Sequence, residues 1–218
     1  MRLERRLDIP PRFERSAKAM QKDQRFGSSP VNLEIDERIG RIVEALPRHA
    51  FQVIMLALNI KGPVDMLVKL YTLPDAAPFI ERAKAIGVSV QRARSPEKRV
   101  VARWVEEQFG EGWAAECETA FSQHPVSCFV AVTNRTIHGF ACYDATAKGF
   151  FGPQGVAKPV RGQRIGQALL VTTLQAMQAN GYAYAIIGAA GPTEFYRKTV
   201  GAVIIEGSKP GFYRDLIR

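Results

Sequence analysis

The chain has 218 residues, of which 46% are apolar and 23% charged, a composition of folded globular proteins rather than of disordered, fibrous or membrane-spanning ones. The longest strongly apolar stretch, Ala50–Leu58, contains Gln52 and is too short to cross a bilayer; Asp8, Pro10 and Pro11 stand where a signal peptide needs an apolar run, so a cytoplasmic location is expected. The net charge of +9 is spread, with 12 basic and 8 acidic residues in 1–63 and 18 and 13 in 64–218, so it suits an anionic cofactor as well as it suits a nucleic acid or an anionic surface.

Residues 1–63 read as an N-terminal extension. Residues 1–30 contain Pro10-Pro11 and Gly27-Ser28-Ser29-Pro30 and few apolar anchors, and read as a poorly structured arm. Ile35, Ile39, Ile42, Val43 and Leu46 have helical spacing, interrupted at Pro47. Phe51–Leu58 reads as helix or strand. Gly62-Pro63 is a break, and a second unit, 64–218, is expected after it.

Met66–Tyr71 reads as a strand and Asp75–Ile86 as a helix closed by Gly87. Residues 88–94 alternate like a strand. Ser95-Pro96-Glu97 is a helix start, followed by an apolar face at Val100, Val101, Trp104, Val105 and Phe109. Gly110-Glu111-Gly112 separates a second helix, Trp113–Phe121. Cys128–Thr133 and Ile137–Tyr143 form a hairpin about Asn134-Arg135. Gly149–Val156 is a strand made irregular by Gly and Pro. A helix over Arg164–Asn180 ends at Gly181. Strand Tyr184–Ile187, helix Pro192–Thr199, strand Ala202–Ile205 and a short strand near Phe212–Leu216 complete the order. The result is a mixed sheet in which the crossover from Val156 to Tyr184 is parallel.

Chemistry concentrates in residues 156–170, VAKPVRGQRIGQALL. A strand runs into Arg161-Gly162-Gln163-Arg164-Ile165-Gly166 and a helix starts at once. The unpaired amides of its first turn and the helix dipole make an anion site suited to a pyrophosphate, with Arg161 and Arg164 beside it. A glycine turn before a buried helix explains the same residues, since Ile165, Leu169, Leu170, Leu174 and Met177 suit a core. Neither G-x-G-x-x-G nor G-K-[ST] is present.

This segment resembles motif A of the GCN5-related N-acetyltransferases, [Q/R]-x-x-G-x-[G/A]. Arg161 fits the first position and Gly166 the last, while Arg164 replaces the middle glycine. Downstream, Glu194-Phe195-Tyr196-Arg197-Lys198 and Gly201-Ala202 are similar to the family's F-Y-x-K-x-G-F, with one extra residue before Gly201 and Ala189 near the place of the usual Asn. The element order agrees over about residues 65–218.

The resemblance implies an α/β fold, with a mixed, mostly antiparallel central sheet flanked by helices, and acetyl-CoA as donor. It implies that the pyrophosphate lies on the amides of Gly162, Gln163, Arg164, Ile165, Gly166 and Gln167. Val156 and Ala157 would be backbone partners of the pantetheine, where the two parallel strands splay. Tyr196 matches the family's general-acid tyrosine, which protonates the departing thiolate; packing on the cofactor beside Phe195 is the other reading. Base candidates are Glu111, Glu116, Asp144 and Glu194, each equally readable as a surface acid; a water-mediated base or an amine arriving neutral is a further alternative. His138 reads as a packed or edge histidine, and Trp113 and Phe121 as core or pocket wall.

The three cysteines Cys117, Cys128 and Cys142 lack C-x-x-C spacing, and the three histidines are far apart, so no metal site is expected and the cysteines read as small core residues. The expected activity is direct transfer of acetyl from acetyl-CoA to a primary amine, with a small amine such as an amino sugar, polyamine or amino acid as partner. A protein amine, or a non-catalytic acyl-CoA-binding regulator using the basic arm, is the alternative. Neither a membrane nor a nucleic-acid partner is expected, and a homodimer is compatible with the sequence.

Overall fold

The computed structural model describes residues 63–209 and 211–213. The readings over 1–62 and the end of the last expected strand lie outside them. Strands β1 (Val64–Lys69), β2 (Ser89–Arg92), β3 (Cys128–Thr133), β4 (Thr136–Tyr143), β5 (Phe150–Val156), β6 (Tyr184–Ala190) and β7 (Val203–Ile204) form one sheet in the order β2-β3-β4-β5-β6-β1-β7. Helices α1 (Ala77–Ala85), α2 (Lys98–Phe109), α3 (Glu111–Phe121), α4 (Ile165–Ala179) and α5 (Thr193–Val200) connect them. Every pairing is antiparallel except β5 with β6.

The sheet separates two cores because side chains alternate across a strand. Phe129, Ala131, Ala141 and Tyr143 join the core beneath α1, α4 and α5, whereas Cys128, Val130, Phe140 and Cys142 join a smaller one beneath α2 and α3. Helix α4 carries the larger core. Leu169, Leu170 and Leu174 are fully buried, each worth about 1.5–3 kcal/mol of transfer free energy. The helix stops at Gly181, whose φ of +90° lets Tyr182 N–H return to the Met177 carbonyl.

Boundaries shift where local geometry intervenes. β1 starts two residues before Met66 and gives way to a single 3-10 turn at Leu70–Thr72. β6 runs on to Ala190 because its far end pairs with β1, Val64 opposite Ala190. Phe212 and Tyr213, expected in a strand, lie in a 3-10 turn, Gly211–Tyr213. Their rings pack against the sheet instead, Phe212 against Phe150 at 5.0 Å between centroids while itself remaining exposed. Among the described residues no helix is long and apolar enough to cross a membrane.

Candidate functional site

β5 and β6 are paired only at Phe150–Ile186 and Phe151–Ile187. Beyond these residues the strands part into a fork. Ala157 N–H donates to the His138 carbonyl at 2.9 Å on the β4 side. In an antiparallel ladder successive residues point their backbone groups to opposite sides, so Gln154 and Val156 turn theirs toward the fork. Ala157, expected beside Val156 as a backbone partner, turns its N–H toward β4 instead, whereas Gln154 shares the orientation of Val156.

Helix α4 begins at the mouth of the fork. The N–H groups of residues 162–166 make no hydrogen bond among the described residues, and four of these five residues, Ile165 excepted, are at least partly exposed. Gln167 N–H is already turned to the Arg164 carbonyl. Arg164, the N-cap residue of α4, has φ +65°, a left-handed conformation that favours glycine. The glycine-to-arginine departure seen in the sequence thus falls where the backbone most wants glycine. Arg161 Nε donates to the Val156 carbonyl at 3.0 Å, tying the loop to the strand beneath it and leaving the guanidinium exposed.

Gln154 was not singled out in the sequence. Its Nε2 donates to the Gly166 carbonyl at 2.9 Å, while its Oε1 is buried with no partner among the described residues. An orphaned buried acceptor carries a desolvation penalty of about 1–3 kcal/mol, so it marks a place that suits a ligand N–H. Glycine at 166 lets helix α4 start close against Gln154 and Phe195. A β-carbon there would stand 3.2 Å from Gln154 Nε2 and 3.7 Å from the Phe195 ring. Helix α5 therefore lies against the start of α4 and walls the same cleft.

Tyr196 of α5 is buried, its ring edge-on to Phe151, the last paired residue before the fork, at 6.5 Å. Burial pushes its phenol up to about 12. The hydroxyl makes no hydrogen bond among the described residues. Glu194 is ion-paired with Arg197 at 2.7 Å and points to solvent; the Arg197 guanidinium holds its carboxyl below the ordinary range.

The opposite face of the fork is aromatic. Gly155 leaves room for the Phe109 ring, which a β-carbon would meet at 2.5 Å, and Gly188 likewise admits Phe150 and Tyr213 at 3.0 Å. Phe109 packs on Phe140 at 5.6 Å and on Trp113 at 5.2 Å. Trp113 is partly exposed and Phe121 is buried in the core. Tyr213 reaches from Gly188 to donate its hydroxyl to Thr146 Oγ1 at 3.3 Å, and the Thr146 hydroxyl donates to Glu116 of α3. Burial first, then the Glu116 and Asp65 carboxylates, push the Tyr213 phenol up. Glu116 is thereby linked to the fork through two hydroxyls.

Asp144 differs from Glu116. Its carboxylate accepts Gly149 N–H at 2.7 Å, Tyr182 O–H at 2.8 Å and Lys148 Nζ at 3.3 Å. These bonds close the loop between β4 and β5 and occupy both oxygens. Glu111 is exposed in the first turn of α3, and His138 is half-buried in β4. Asp65, absent from the sequence-based candidates, is buried in β1 and accepts Ala189 N–H at 2.8 Å, holding that residue at φ +47°. Glu116, Thr146 and Tyr213 are far apart in sequence, so no local spacing announces their meeting.

The architecture is similar to that of the GCN5-related glucosamine N-acetyltransferase region of a fungal multi-domain GH3 β-N-acetylglucosaminidase. The TM-score is 0.57 at 11% identity, covering 72% of this chain and 22% of that one. GCN5-related N-acetyltransferases from Sphaerobacter thermophilus (TM-score 0.49, 19% identity, 90% of this chain and 68% of that chain) and Kribbella flavida (0.47, 18%, 66% and 55%) are also matched. The chain thus spans about a fifth of the length of the first of these proteins. No protein-family model matches the chain, and the search of curated proteins finds no match. The described residues have the fold of the GCN5-related N-acetyltransferases.

Proposed function

We propose that the protein is an N-acetyltransferase that moves acetyl from acetyl-CoA to a small primary amine by direct transfer in a ternary complex. The observation that carries this reading is the fork. Two parallel strands part beside five backbone amides that have no partner among the described residues, and the buried Gln154 Oε1 at the start of α4 lacks a donor.

The residues fit acetyl-CoA. The amides of residues 162–166, with the Arg161 and Arg164 guanidiniums, suit the diphosphate. The backbone of Gln154 and Val156, together with Gln154 Oε1, suits the two pantetheine amides. A Val156 N–H facing the fork can polarise the thioester carbonyl as negative charge develops on its oxygen.

The amine enters from the aromatic face, between Phe109 over β5 and Tyr213 over β6. Glu116 is the base, taking the amine's proton through Thr146 and Tyr213. The geometry favours it over Asp144, whose oxygens are occupied in the loop. Tyr196 faces the leaving sulfur. A phenol near 12 is a poor full donor to a thiolate of intrinsic pKa about 8.5, so Tyr196 stabilises that thiolate chiefly by a hydrogen bond. The division near residue 63 belongs to the same reading, in which residues 64–218 expressed alone fold and bind acetyl-CoA.

The test is thiol release from acetyl-CoA against a panel holding glucosamine, a polyamine and amino acids. Amine-dependent release by at least one member is expected. Cofactor binding with no turnover on any amine would instead favour a non-catalytic acyl-CoA-binding protein.

A further inference from the structure

Three thiols scattered in sequence meet in the smaller core. Cys117 comes from α3, and Cys128 and Cys142 face each other across β3 and β4. All three are fully buried, and their sulfurs lie within 4.8 Å of one another, Cys117 and Cys128 at 4.0 Å. Apolar side chains surround them, Ala114, Ala120, Val130 and Phe140 among them.

We propose that Cys117, Cys128 and Cys142 form a binding site for a trivalent thiophilic metalloid, with arsenite as the representative ligand. The geometry comes first. A lone-pair-bearing atom sits above the plane of its three sulfurs; with bonds of about 2.3 Å and angles of about 100° those sulfurs stand about 3.5 Å apart. From the 4.0 Å between Cys117 and Cys128 and a widest separation of at most 4.8 Å, closure asks each sulfur to move by roughly 0.3 to 0.8 Å, the scale of a χ1 rotation.

Ligand number comes second. Among the described residues only these three side chains join the group. A structural zinc site asks for four protein ligands, whereas a trivalent metalloid with a lone pair is satisfied by three. Charge is the third argument. Three thiolates carry three negative charges in an apolar core, and uncompensated buried charge is strongly unfavourable. Lys98 and Glu118, which flank Cys117, pair with each other at the surface at 3.3 Å, and the further charge acting on the cluster is the Glu97 carboxylate, so no cation nearby offsets it. A monovalent or divalent ion leaves a residual charge, and a trivalent one leaves none.

The exchange balances without an oxidant. Three As–O bonds of arsenous acid break, three As–S bonds form, and each thiol proton leaves on a hydroxide as water. Full burial makes loading slow and dependent on transient opening of α3.

The reduced full-length protein is incubated with arsenite and followed by native mass spectrometry, near-ultraviolet sulfur-to-arsenic absorption and melting temperature. One arsenic per chain, loss of three protons and a raised melting temperature are expected, with zinc and cadmium displaced. Cys117→Ala and Cys142→Ala should each lose the absorption band and most of the affinity. If either variant misfolds, X-ray absorption on the wild type decides the matter. Three sulfur neighbours and no oxygen around arsenic support the site. Two sulfurs with an oxygen, undiminished binding in folded variants, tighter binding of zinc, or no uptake by the native chain would each overturn it.

Discussion

The two faces of the fork are built from different kinds of sequence. The α4 face comes almost entirely from one contiguous run, residues 154–167, in which strand, turn and helix start follow one another. The α2–α3 face gathers Phe109, Glu116, Thr146 and Tyr213 from four separate elements. On the first face the chain's own connectivity sets the geometry; on the second, tertiary packing does. A helix start with free backbone amides is therefore a local feature that survives a residue as unfavourable as Arg164 at φ +65°, whereas the Tyr213–Thr146–Glu116 hydrogen-bond chain depends on three distant segments arriving together.

The largest effect should follow from Gly166→Asp on the contiguous face. Acetyl-CoA should raise the melting temperature of the wild type, as any ligand that binds only the native state does, and the variant should lose that shift altogether. An acidic residue in the first turn of a helix is compatible with folding, so the variant should remain folded while repelling the diphosphate. A preserved shift would move the phosphate site elsewhere.

On the assembled face, Glu116→Gln keeps an acceptor for Thr146 and removes the base. Acetyl-CoA affinity should hold while turnover at neutral pH falls by about 10²- to 10⁴-fold. The deficit should narrow as pH rises toward about 10, where the amine itself loses its proton. A pH-independent deficit would make Glu116 a packing residue of α3.

A smaller effect is expected from Tyr196→Phe, about tenfold or less in single-turnover transfer, because a thiolate departs with little help. A phenol pushed up to about 12 is neutral in the folded chain well past its ordinary value of about 10. The stabilisation tied to the neutral form is complete below about 10 and is lost as pH rises through about 12. Wild type and variant should therefore melt in parallel from neutral to mildly alkaline pH and diverge only beyond. Divergence near neutrality would mean that Tyr196 is ionised or bonded otherwise.

The smallest change concerns Arg164→Gly. It removes a left-handed non-glycine residue, a strain of about 1 kcal/mol or less after glycine's own entropy is counted. Chemical denaturation should show unchanged or slightly raised stability, and cofactor binding should weaken only by the missing charge. A large loss of affinity would assign Arg164 a specific phosphate contact.

Legibility in the sequence follows the same division. The β5–α4–β6 crossover, the glycine turn and the closure at Gly181 are written in adjacent residues and were readable from spacing alone. Direction within a strand was not. Val156 and Ala157 look equivalent in sequence, and only the ladder to His138 turns one toward the fork and the other away. Gln154 was hidden because a lone glutamine in a strand carries no pattern. The cysteine cluster was hidden because α3 and the β3–β4 hairpin bring together residues that share no spacing rule. The strand expected near Phe212 became a turn because its aromatic rings pack over Phe150 and Gly188.

The most direct test of the account is backbone hydrogen exchange of the full-length protein with and without acetyl-CoA. The amides of residues 162–166, which have no partner among the described residues, and that of Val156, which faces the fork, should slow markedly on binding, while Ala157, already bonded to His138, should change least. Binding that leaves residues 162–166 exchanging at their free rate would contradict the central claim that the fork and the start of α4 hold the acyl donor.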